Sequence, residues 1–197
     1  MTDRRSRLLD ATCRVIARDG IRGLRIENVA AEADASTALI YYHFGDRSGL
    51  LTQAMEHVNT RAETYADATE GTAGRERLVA QLLGEFHDDD SVRENSAVWG
   101  EVRAAAVFDG GLRPVLTGAT ERWVADLTAL IEDGQRDGSI AASVDPRAIA
   151  FRMSALVEGL SNRWLAHLVT TDQARGHIIA ALDSEFAAGA AAPALSD

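Results

Sequence analysis

From Val29 to Leu51 the chain reads VAAEADASTALIYYHFGDRSGLL, a stretch that few folds can accommodate. Val29, Ala30 and Ala33 mark the inner face of a short helix, and Asp34-Ala35 makes a tight turn. Ser36 is placed to cap a second helix, its hydroxyl accepting from the free N–H groups of the next turn. Leu39, Ile40 and Phe44 then recur at helical spacing. Between them stand Thr37, Ala38, Tyr41, Tyr42 and His43, an outer face that is small, aromatic and hydrogen-bonding, with no acid before Asp46. A helix–turn–helix of this size can lay the N-terminal end of its second helix in a DNA major groove. The competing reading of Tyr41 is a core tyrosine with its hydroxyl at the rim. Leu39 is ambiguous in phase between core and groove.

The rest of the chain predicts helices and nothing else. Leu8, Leu9, Thr12, Val15 and Ile16 form one apolar stripe over residues 4–19, closed by Asp19-Gly20 with glycine at a left-handed C-terminal position. A second helix spans about 25–33, with Arg25 where a Ser, Thr or Asp cap would be expected. A longer helix runs from Ser48 towards Thr69, and others occupy about 75–87, 92–108, 112–136, 146–169 and 173–187. Asp145-Pro146 is a cap followed by proline at the first helical position, and Asp172 is the candidate cap of the last helix. No β-hairpin signal and no fixed repeat interrupt this pattern. The expected architecture is all-α, with about nine helices. Residues 1–47 form a three-helix head, 48–190 a larger ligand-binding and dimerisation body, and 191–197 a disordered tail.

Charge separates head from body. Residues 1–50 hold eight Arg against seven acids, and the remainder twelve Arg against twenty-three acids, for a net charge of −10. An acidic body repels DNA everywhere except at the head and so orients the molecule. Arg4, Arg5 and Arg7 cluster at the start, either as a phosphate-reaching arm or as a solvated terminus. Cys13 is the single cysteine, which excludes an internal disulfide framework. With no signal segment and no apolar run of membrane-spanning length, a cytoplasmic protein without membrane association is expected.

The head resembles the DNA-binding domain of the TetR family of bacterial repressors. There a first helix ending in Gly leads into V/I-A-x-x-A-G-V-S-x-x-x-(I/L)-Y-x-H-F-x-x-K, and Gly20, Val29, Ala30, Ala33, Ser36, Ile40, Tyr41, His43, Phe44 and Arg47 fit in register. Roughly ten matching positions over about thirty residues make this far more specific than a short motif. Asp34 replaces the turn Gly, and Arg47 the Lys. The stretch Trp99–Trp164 also resembles the choline-responsive BetI-like subgroup, through WGEVRAAA, the Gly138 turn, Val144-Asp145-Pro146 and VEGL at 157–160. The resemblance implies a ligand-responsive transcriptional regulator, a repressor that binds a palindromic double-stranded operator as a homodimer and is released by a small-molecule effector. The opposite sense, with ligand promoting binding, fits the sequence equally.

The candidate DNA-binding residues are Arg25, Ser36, Thr37, Ala38, Tyr41, Tyr42, His43 and Arg47, with Arg25 and Arg47 expected on phosphates. The candidate dimer interface is the pair of stripes Ile149, Met153, Leu156, Leu160, Trp164 and Ile178, Leu182, Phe186, suited to a four-helix bundle across a two-fold axis or to packing within one subunit. The candidate ligand set is Phe86, Trp99, Arg103, Met153, Glu158 and Asn162, aromatic surface plus polar groups on apolar helices, which need a partner in the protein or in a ligand. No catalytic residue, cofactor or metal is expected. The five histidines are dispersed, and HExxH, GxSxG and a Gly-rich phosphate loop are all absent. His87-Asp88-Asp89-Asp90 reads as a solvated helix end rather than a cation site. The rival to a regulator is an all-α small-molecule sensor or interaction protein without DNA binding.

Overall fold

Periodicity and punctuation are realised almost element by element. The computed structural model describes residues 4–63 and 73–191. Among these the order is α1 (Arg4–Gly23), α2 (Ile26–Glu32), α3 (Thr37–Phe44), α4 (Arg47–Glu63), α5 (Gly74–Gly84), α6 (Asp90–Ala106), a 3-10 turn (Gly110–Leu112), α7 (Arg113–Asp137), α8 (Pro146–Leu165) and α9 (Thr171–Ala191), with no strand among the described residues. The expected continuation of α4 to Thr69 and the tail beyond Ala191 lie outside the described residues.

The described residues fall into two compact units. One comprises residues 4–63 and 89–117, the other 73–88 and 118–191. In the first, Leu8, Leu9, Val15 and Ile16 of α1 meet Val29 and Ala30 of α2, Ile40 and Phe44 of α3, and Leu50, Leu51, Met55 and Val58 of α4 in a single apolar core. Val98 and Val102 of α6 belong to that core as well, fully buried, so α6 packs with the head helices although it lies far along the chain. In the second unit, Leu78, Leu82 and Phe86 of α5, Leu127 and Ile131 of α7, Met153, Leu160 and Trp164 of α8, and Ile178 and Leu182 of α9 are interior.

Caps explain most boundaries. Asp145 accepts from Ala148 N–H at 3.0 Å ahead of Pro146, as expected. Asp89 accepts from Ser91 N–H at 2.7 Å and caps α6. The last helix departs from expectation: Thr170, not Asp172, caps it. Thr170 Oγ1 accepts from Gln173 N–H at 3.2 Å, and Gln173 Oε1 accepts from Thr170 N–H at 2.9 Å, a reciprocal capping box.

Glycine matters most where α5 begins. A Cβ on Gly74 would lie 2.2 Å from the backbone nitrogen of Gly134 in α7 and 2.6 Å from its Cα. Gly74 N–H also donates to Asp137 at 2.6 Å. The Ser139 side chain, with the backbone N–H groups of Gly74 and Ser139, holds the Asp137 carboxyl below its ordinary range. We expect Gly74→Ala to cost about 3 kcal/mol, since backbone rather than a yielding side chain must move. Thermal unfolding should register a loss of about 6–12 °C. Gly118→Ala, on α7 where the added Cβ would come no closer than 3.8 Å to Arg122, should instead gain up to about 1 kcal/mol.

Candidate nucleic-acid interface

The local chemistry of residues 34–49 builds a rigid, outward-facing α3. Asp34 takes the positive-φ turn conformation (φ 49°) where the family pattern has glycine, and Ala35 N–H donates to Ala30 C=O at 2.9 Å. Ser36 Oγ accepts from Leu39 N–H at 3.2 Å, the expected N-cap. Ile40 and Phe44 point into the core. Gly45, at φ 77°, ends the helix, and Asp46 accepts from Gly49 N–H at 2.8 Å to start α4. Gly49 went unremarked in the sequence, yet a Cβ there would sit 2.2 Å from the carbonyl oxygen of Phe44. Glycine is what lets α4 begin so close to the end of α3.

The outer face of α3 is open. Tyr42 is 83% exposed and Tyr41 50%, so the core reading of Tyr41 does not hold. Ser36 and Ala38 are exposed, and Thr37 and His43 half-buried. The His43 ring meets Tyr42 edge-on at 5.2 Å between centroids, which orders the two side chains together. This surface offers the Ser36 and Thr37 hydroxyls at the positive end of the helix dipole and the phenol and imidazole groups of Tyr41, Tyr42 and His43 in the last turn, with the small Ala38 in the first turn. Leu39 resolves its ambiguity by doing both: it packs on the core and lines a groove of about 520 Å³ with Arg4, Arg7, Asp34 and Ser36.

The arginines divide by what they already hold. Arg4 and Arg7 line that groove. Arg5 donates to Gln53 at 2.5 Å and lies 6.0 Å from the Phe44 ring centroid. Arg14 and Arg18 each pair with Glu32 at 2.8 Å, fastening α1 to α2. The Arg14 bond leads in holding the Glu32 carboxyl below its ordinary value of 4.5. Arg25 stands at the N-cap of α2, exposed, and makes no capping bond, as its sequence position implies. Arg47, expected on a phosphate, is exposed and already holds two acceptors of the protein itself. Its Nε donates to Leu24 C=O at 2.8 Å and its Nη2 to Ile21 C=O at 2.6 Å, so two of its donors face the protein.

In the second unit the sequence-derived stripes are interior. Ile149, Met153, Leu160, Trp164, Ile178 and Leu182 are each 3% exposed or less within a single chain, leaving no side-chain surface for a second subunit. Leu156 and Phe186 are half-buried, Phe186 with the Arg75 guanidinium 5.7 Å from its ring centroid. The stripes identify the inner face, as their periodicity should. The outer face carries Phe151 (64% exposed), Ala155, Gly159 and Asn162 on α8, and Gly176, Ile179 (43% exposed), Ala180 and Asp183 on α9.

The candidate ligand residues do not form one cluster within either unit. Phe86 is fully buried, edge-on to Trp164 at 5.8 Å, and Met153 is interior. Trp164 Nε1 donates to Thr171 Oγ1 at 2.9 Å, and that hydroxyl donates to Asp88 at 2.6 Å, which gives part of the acidic run after His87 a structural task. Glu158 is half-buried and Asn162 exposed. In the first unit, Arg103 lies 5.9 Å from the Trp99 ring. Asn95 on α6 belongs to none of the motifs above. It is 6% exposed, and neither polar atom of its amide has a partner among the described residues. An orphaned buried amide costs about 1–3 kcal/mol. Its only signal in the sequence was a polar residue in phase with Val92, Val98 and Val102. No group of His, Cys, Asp and Glu among the described residues is arranged to hold a metal, and no described helix is long and apolar enough to cross a membrane.

Residues 8–54 match the family model described as bacterial regulatory proteins, tetR family, and residues 74–187 match the BetI-type transcriptional repressor C-terminal family. The HTH-type transcriptional regulator BetI of Burkholderia mallei is 31% identical over 169 residues, covering 82% of this chain and 80% of its own. A TetR-family regulator of Rhodococcus sp. superposes with a TM-score of 0.89 at 44% identity, over 94% of this chain and all of that one. A transcriptional regulator of Saccharomonospora viridis, solved in complex with choline, has a TM-score of 0.78 at 28% identity, over 91% and 95% of the two chains.

Proposed function

This chain belongs to the TetR family of DNA-binding transcriptional regulators, a non-enzymatic class, and we propose that it acts within that family as an effector-released repressor. The observation that carries the DNA-reading part is the exposed Tyr41–Tyr42 face of α3 beside a Ser36-capped N-terminus. Thr37, Ala38, Tyr41, Tyr42 and His43 meet base edges and phosphates in the major groove. Arg25, Arg4 and Arg7 supply backbone contacts from either side. Ser36 holds the helix end whose dipole favours a phosphate.

A single head covers half a site. Two heads at about 34–36 Å read a palindrome, which requires a two-fold dimer. The outer faces of α8 and α9 suit that role. Gly159 and Gly176 meet nothing within 4 Å of an added Cβ, so a second copy can approach closely, with Phe151 and Ile179 as the apolar contacts. The effector binds in the helical body and shifts the pair towards an arrangement whose heads miss the operator, to the extent of its differential affinity for the two arrangements. A small quaternary ammonium is the first effector to test: the Saccharomonospora viridis relative holds choline, and aromatic rings recognise such cations.

Selection from a random duplex pool should recover a palindrome, bound with a steep linear fall of log affinity against log salt concentration. Titrating choline into that complex should lower its affinity. Recovery of no specific duplex would favour a sensor without DNA binding, and tighter binding with choline would reverse the sense of control.

A further inference from the structure

The link between α1 and α2 is gripped on both sides of one residue, Ile21. Gly20 has φ 71° and ψ 172°, a conformation open essentially to glycine alone, and it breaks the helix before Ile21. The Ile21 N–H then donates to Glu101 Oε2 on α6 at 3.0 Å. The C=O of the same residue accepts from Arg47 Nη2 at 2.6 Å, and Leu24 C=O accepts from Arg47 Nε at 2.8 Å. Asn28 Nδ2 adds a bond to Gly23 C=O at 2.9 Å. A Cβ at Gly20 would sit 2.8 Å from Glu101 Oε2, so glycine there also admits the carboxylate.

We propose that Arg47 and Glu101 are positioning residues for DNA recognition, clamping the Ile21–Leu24 segment so that α2 and α3 are presented at a fixed angle to α1 and α6. Arg47 is the first residue of α4, three positions after Phe44 ends α3. Its planar fork reaches two carbonyls at once, which a lysine ammonium on a flexible stem cannot reproduce with the same geometry. Glu101 supplies the acceptor for the N–H that the Gly20 break strands. Through the Ile21 N–H, α6 is tied to the segment that leads into the helix–turn–helix, and through the Ile21 and Leu24 carbonyls Arg47 ties that segment to the start of α4. The clamp rests on the DNA-binding reading above, but it assigns Arg47 to the protein's own backbone rather than to a phosphate.

The test uses the full chain and the operator recovered by selection, with Arg47→Lys, Arg47→Ala, Glu101→Gln, Glu101→Leu and the Arg47→Ala/Glu101→Leu double variant. We expect Arg47→Lys and Arg47→Ala to lose operator affinity about equally, roughly tenfold to a hundredfold, with the salt slope unchanged and non-specific DNA affinity retained. Glu101→Gln keeps an accepting oxygen and should behave as wild type. Glu101→Leu should resemble the Arg47 variants, and the double variant should lose less than the two single losses combined. Rescue by Arg47→Lys, together with a salt slope reduced by about one in Arg47→Ala, would make Arg47 a phosphate contact and overturn the clamp. Equal loss of specific and non-specific binding would reduce it to general stabilisation and overturn it as well. Should wild type recover no operator, amide exchange decides independently: Arg47→Lys must raise exchange at Ile21 and through α2 and α3, and unchanged exchange there rejects the proposal.

Discussion

Ala38→Glu should abolish operator binding while leaving the protein as stable as wild type. Ala38 lies exposed in the first turn of α3. A carboxylate in a first helical turn is favoured by the helix dipole, by about 0.3–1 kcal/mol, so the melting temperature should hold or rise slightly. In the proposed complex the same charge would face base edges and two phosphate backbones, twice per palindrome. We expect an affinity loss of at least about a hundredfold at fixed salt, measured by fluorescence anisotropy. Ala38→Ser, which adds an oxygen without charge, should lose under about tenfold. Wild-type affinity in the glutamate variant would mean that another surface of the molecule reads the DNA.

Gly159→Arg should separate the subunits without unfolding them. In the single chain a Cβ at Gly159 meets nothing, and exchanging glycine for arginine inside a helix gains up to about 1 kcal/mol of propensity. In the proposed dimer the substitution would bring two long cations into a contact of small residues across the two-fold axis, desolvating both. We expect sedimentation at micromolar concentration to show monomer. Operator affinity should fall by about a hundredfold to ten-thousandfold, because the second half-site no longer gains from the first. A dimer that persists in this variant would move the interface off α8 and α9. Normal operator affinity from a monomer would remove the need for a paired reader.

What could be read from the chain beforehand was what short-range chemistry decides. The Ser36 cap, the positive φ of Asp34, the glycine stop at Gly20 and the Asp145-Pro146 start each depend on residues within a few positions, and all appear. Even there the conformation of Gly20 differs in detail, extended in ψ rather than left-handed helical. The apolar stripes of α8 and α9 mark an inner face without saying what covers it, and of the two readings they allow, an interface or packing within one subunit, six of the eight residues take the second. Arg47 shows the other limit. Its charge was legible, whereas its acceptors are backbone carbonyls 23 and 26 residues away, and nothing in a motif records them. The reciprocal Thr170–Gln173 pair was missed because Asp172, a stronger capping type, stood between them.

The packing of α6 against the head has a consequence for how such regulators can be recombined. Val98 and Val102 complete a core that begins at Leu8, and Glu101 accepts from Ile21 N–H. An excised N-terminal fragment ending in α4 would bare that apolar surface to water. A chimera built by a single crossover there would marry a foreign α6 to the native α1. In this chain a transplanted head therefore keeps its apolar core only if the α6 segment travels with α1–α4.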